Sequence, residues 1–201
     1  MRKTFNELQQ WLLQNWPAAR QLEDSMANVR EKYKTVFERV IEVVQEEKRE
    51  LEHCRLHLTD FNGNAGFAKK EWPGQYATWP SGLWIGDISL DNLMSDEGDH
   101  PNAYITLSVP KVTQVDLEEA RSTIQMEAEK LLNDKNLKCF FNYEAHPKTC
   151  FWYDLPESRQ ELRQMLLENE SEKFVQCIAS HILILARFIP HLDEALAKNK
   201  S

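Results

Sequence analysis

Leu83-Trp84-Ile85-Gly86-Asp87-Ile88-Ser89-Leu90 is the stretch on which the fold turns. A short apolar run bounded by turn residues reads as a strand. Downstream, Ala103–Val109 alternates Tyr104, Thr106 and Ser108 with Ile105, Leu107 and Val109, the period of a second strand. Asp96-Glu97-Gly98-Asp99-His100-Pro101 between them is an acidic turn. The two runs predict a hairpin with a long acidic loop.

Working outward, Asp116-Leu117-Glu118-Glu119 is a capping box, which predicts a helix over about 117–133. Leu137–Tyr143 and Cys150–Tyr153 read as two aromatic-rich strands joined at Glu144–Lys148. The boxes Asp154-Leu155-Pro156-Glu157 and Asn169-Glu170-Ser171-Glu172 announce two further helices. The last contains the most apolar stretch, Phe174–Ile189, interrupted by Gln176, Ser180, His181 and Arg187. It is too short and too polar to span a bilayer and reads as a buried helix ended near Pro190.

Upstream, Phe5, Leu8, Trp11 and Leu12 lie at helical spacing, and Pro17 suits the first turn of a second helix. Met26, Val29, Tyr33, Val36, Val40 and Val43 then follow steps of 3-4-3-4-3, a heptad seam. The next seam position is Glu47, and apolar residues resume at Leu51, Cys54 and Leu58. A helix over about 17–58 would be roughly 60 Å long, more than a small core covers. Such a seam either joins another chain as a homodimer or folds back, with helices over 3–15, 17–58 and 172–189 wrapping the sheet.

The order of elements implies an α+β fold: an antiparallel or mixed sheet of about four to five strands flanked by helices, with a long N-terminal helical arm. The arm is placed at 1–58 and the α+β domain at 59–201.

Composition limits what the chain does. Its 201 residues carry 24 Lys+Arg and 32 Asp+Glu, a net charge of -8 that repels phosphate backbones. Residues 1–58 are neutral, whereas residues 59–110 set Lys69 and Lys70 against Asp60, Glu71, Asp87, Asp91, Asp96, Glu97 and Asp99. An acidic surface there would suit a basic partner. Direct nucleic-acid binding and membrane binding are not expected. Four scattered cysteines without a CxxC, and no apolar signal core, point to a cytoplasmic protein with reduced thiols.

The chemistry-bearing motifs are sparse. His53 and His57, four apart on the expected helix, could bridge a metal, but Cys54 stands where the general-base Glu of H-E-x-x-H would be. Cys139 and Cys150, symmetric about a turn, read as small core residues. The acidic loop with Asp87 and Asp91 lacks the alternating ligands of an EF-hand. The element order can be drawn as a restriction-endonuclease-like core, an analogy of fold alone. Its strand Tyr104–Val109 carries neither carboxylate nor lysine, and Glu46-x-Lys48 lies on a helix. Ser180 and His181 adjoin within a helix and cannot form a nucleophile-base pair. No catalytic residue, metal or cofactor is assigned.

The aromatic cluster carries the leading expectation. Trp72, Tyr76, Trp79 and Trp84 fall within one short segment and would anchor a protein partner if exposed, with Asp96, Glu97 and Asp99 selecting for positive charge. The alternative is a mini-core folded onto the sheet. The function expected is therefore a non-enzymatic interaction or regulatory protein. Behind it stand a catalytically silent nuclease-like domain, an acidic inhibitor blocking a basic nucleic-acid-binding partner in phage–bacterium conflict, and a metal-dependent hydrolase.

Overall fold

The structure is a computed structural model and describes residues 6–56, 65–72, 81–95, 100–107, 122, 126–130, 139–140, 148–168 and 170–197. The chain divides into two compact units, 1–35 and 36–201.

The first unit is helical. Helix α1 spans Glu7–Gln14 and opens on a capping box, in which the Asn6 side chain accepts from the Gln9 amide and the Gln9 side chain accepts from the Asn6 amide. Helix α2 spans Trp16–Glu47, about 48 Å at ~1.5 Å per residue, beginning in the first unit and ending in the second. The break at Asn15 has a local cause. Pro17 has no N–H to give the Leu13 carbonyl, and Asn15 turns its side-chain amide back onto the Trp11 carbonyl at 2.9 Å.

The second unit is built on one antiparallel sheet of six strands: β1 (Glu52–Leu56), β2 (Ala65–Ala68), β3 (Gly82–Gly86), β4 (Asn102–Leu107), β5 (Cys139–Phe140) and β6 (Lys148–Asp154). Their spatial order is β1-β2-β3-β4-β6-β5. The expected β3–β4 hairpin is present, with Trp84 opposite Tyr104. After β3 the chain forms a short helix, α3 (Leu90–Met94), capped by the Ser89 side chain. Helices α4 (Arg159–Leu167), α5 (Ser171–Leu185) and α6 (Ile189–Ala197) follow the sheet, with a 3-10 turn at Ala186–Phe188 before α6.

The two extra strands come from residues that read differently in sequence. The seam past Glu47 is not helical. The helix stops where Glu46 and Glu47 meet Lys48 and Arg49, and Leu51 enters the core. The Leu51 carbonyl is taken by the Gln45 side chain at 3.0 Å, and β1 starts at once. His53 therefore sits on a strand against the Phe67 ring, with centroids 6.1 Å apart, so the His53/His57 helical pair does not form. His57 lies outside the described residues.

Every residue of β3 is buried, so both faces of this strand are covered. That explains its continuous apolar run. Helix α5 packs on β3 and β4. It buries Phe174, Val175, Ile178, Ala179, His181, Ile182 and Leu185. Phe37 of α2 meets Phe174 edge-on at 6.3 Å, and Val40 and Val44 are fully buried, so this end of the seam is intramolecular core. The helical run Ser171–Glu194 is long and apolar enough to cross a membrane, and 56% of its most apolar window is buried inside the fold.

Candidate functional site

Two features stand apart from ordinary core: an apolar face left in solvent on the arm, and a polar cluster enclosed between β6 and α5.

On the arm, Leu8, Trp11, Leu13, Trp16, Leu22, Met26 and Val29 are all about half or more exposed. Among the described residues they are most of the large apolar side chains left in solvent. Every residue from 20 to 32 of α2 is exposed. It contains Asp24, Ser25 and Asn28, poor helix formers. Ser25 even donates its hydroxyl to the Gln21 carbonyl. Isolated helices of this length are marginal in water and are held by packing of an apolar face.

The seam residues divide accordingly. Met26 and Val29 are exposed, Tyr33 is buried, Val40 is fully buried, and Val36 and Val43 are half-buried. The seam also extends further upstream. Leu22 and Ala19 continue the 3-4 spacing from Met26 along α2, and Asn15, Leu12 and Leu8 keep it in sequence across the helix break at Asn15.

The second feature was hidden in sequence. Tyr153 lies one residue before the end of β6, Glu157 follows the strand, and Cys177 and His181 stand four apart on one face of α5. His181 Nε2 lies 3.0 Å from Glu157 Oε2, and its Nδ1 lies 3.0 Å from the Tyr153 hydroxyl. The Cys177 sulfur lies within 4.8 Å of the Glu157 carboxylate. The hydrogen bond from His181 above all holds the Glu157 carboxyl below the usual range. Burial, and next the negative Glu157, push the Cys177 thiol up to about 12. Burial raises the Tyr153 phenol as well. His181 is nearly fully buried, whereas Glu157 and Cys177 are half-buried, so the cluster reaches the surface on one side.

The tautomer with its proton on Nε2 fits these contacts: Nε2–H donates to Glu157, and Nδ1 accepts from Tyr153. A thiol that stays protonated is a weak nucleophile.

The aromatic anchors need correction. Trp84 is fully buried, donates its indole N–H to Thr106 Oγ1 at 2.8 Å, and stacks on Tyr104. Trp72 is buried too, with its N–H on Asp193 Oδ1 at 2.7 Å. Both rings are core, and each gives its one N–H to a polar partner. Neither presents a docking surface. Tyr76, Trp79, Asp96, Glu97 and Asp99 lie outside the described residues. Asp87, with φ 59, faces Arg159 at 3.6 Å and accepts from Asn92 at 3.4 Å. Cys139 pairs in register with Tyr153, so Cys150 is not its cross-strand partner.

Sequence reading missed Tyr153, Glu157, Cys177 and His181. The available signal was Cys177-x-x-x-His181 on a helix, the same spacing that drew attention to His53 and His57. Comparison with protein-family models, curated proteins and solved structures gives no match to this chain.

Proposed function

We propose that this protein is a non-enzymatic association module, and that the arm covers its apolar face with a second copy of the same chain. The observation that carries the reading is the helical stretch 20–32, exposed at every residue yet carrying a seam of Leu22, Met26 and Val29. The 3-4 spacing of Ala19, Leu22, Met26 and Val29 on α2 is the pattern that packs against an identical helix. Fully burying a Leu, Met or Val side chain contributes roughly 1.5–3 kcal/mol, so a few such residues offset the ordering of a short arm.

The test is the mass in solution of the full chain and of Leu22→Glu and Val29→Glu by sedimentation equilibrium. Both positions are exposed, so the folded core tolerates the change. The reading expects twice the 23.6 kDa chain mass for the parent and the single-chain mass for both variants. A parent monomeric at all concentrations, or variants as dimeric as the parent, would overturn it.

A further inference from the structure

We propose that Glu157, Cys177 and His181 form a zinc-binding site, with Tyr153 as the residue that orients its imidazole. The three donor atoms all lie within 4.8 Å of one another. Tetrahedral zinc, with bonds of ~2.0–2.3 Å, needs donor separations of about 3.3–3.6 Å, so shifts of well under a residue's reach close the site. Cys177 and His181 are spaced one helical turn apart, which fixes two donors on one rigid element. Glu157 enters from the turn after β6.

The donor set selects the metal. A thiolate, an imidazole nitrogen and one carboxylate oxygen suit a borderline-soft cation and not calcium or magnesium, which take oxygen cages. Three protein ligands leave one tetrahedral position, on the side where Glu157 and Cys177 reach solvent.

Tyr153 meets the nitrogen that the metal would not use. Metal-bound imidazoles almost always place their second nitrogen on an outer partner. Binding would move the imidazole proton from Nε2 to Nδ1, and the Tyr153 oxygen would then accept where its hydroxyl now donates. Glu157 is ionised before and after. The one proton lost to solvent is that of the Cys177 thiol, so each bound ion releases one proton near neutral pH.

The experiment titrates chelator-treated full chain with cobalt(II), followed by displacement with zinc(II). Expected are one ion per chain, a thiolate-to-cobalt charge-transfer band, release of about one proton per ion, and loss of the band in Cys177→Ser. Glu157→Gln should weaken binding by more than about a hundredfold, and Tyr153→Phe by about 10–100-fold. Absence of the charge-transfer band in the parent, or the same band and affinity in Cys177→Ser, would overturn the site. Should Cys177→Ser fail to fold, Glu157→Gln decides: parent affinity in that variant would equally overturn it.

Discussion

Trp84 lies across the backbone of Gly66, its strand partner, so closely that a Cβ at Gly66 would fall within 3.0 Å of three ring carbons. The absence of a side chain on β2 is what makes room for the largest fully buried residue on β3. The indole is held by stacking on Tyr104 and by its bond to Thr106.

Gly66→Ala should therefore destabilise the fold by about 2 kcal/mol, because the indole has packed neighbours behind it and nowhere to shift. Urea unfolding checks this. An unchanged midpoint would show that the ring has slack the structure does not reveal.

Asp193 on α6 ties down the segment after β2, accepting from Trp72 Nε1 and from Lys69 Nζ, each at 2.7 Å. Asp193→Ala should cost about 1–3 kcal/mol, since it strands a buried indole N–H. Asp193→Asn, which retains an acceptor, should cost less. Equal losses in thermal melts would mean that charge, not the indole bond, dominates there.

Cys177 in metal-free protein should react slowly with iodoacetamide. Its thiol, pushed up to about 12, holds a thiolate fraction on the order of a thousandfold below that of an ordinary cysteine at pH 8. Mass spectrometry of the alkylated peptide measures the rate against a model thiol. Reaction at the model rate would contradict the enclosed, Glu157-facing placement.

Glu157 sets an acid limit. A carboxyl with a lowered folded pKa contributes stability above its unfolded pKa of ~4.3, and that contribution is lost as pH falls through the folded value. The parent should lose stability between about pH 5 and the folded value, and Glu157→Gln should show a flatter profile there. Parallel profiles for the two would remove Glu157 from the account.

Much of the sheet is legible from local pattern. The alternation at 103–109 and the run at 83–86 give β3 and β4, because a covered strand needs apolar residues on its faces. The seam is legible as a repeat, but its division is not: the same valine spacing packs inward at Val40 and stands in solvent at Val29, and only the positions of the sheet and α5 decide which. β1 was masked by Leu51, Cys54 and Leu58 at helical spacing. Trp84 and Trp72 could not be assigned to core or surface, since their partners Thr106 and Asp193 are distant in sequence. The polar cluster was invisible for the same reason, with Glu157 about twenty residues from Cys177.

Hydrogen exchange over residues 20–32 tests the central claim most directly, because every residue of that stretch is exposed. Pairing with a second copy predicts protection that rises with protein concentration and disappears in Leu22→Glu. Rapid exchange at every concentration, or protection independent of concentration and of Leu22, would contradict it.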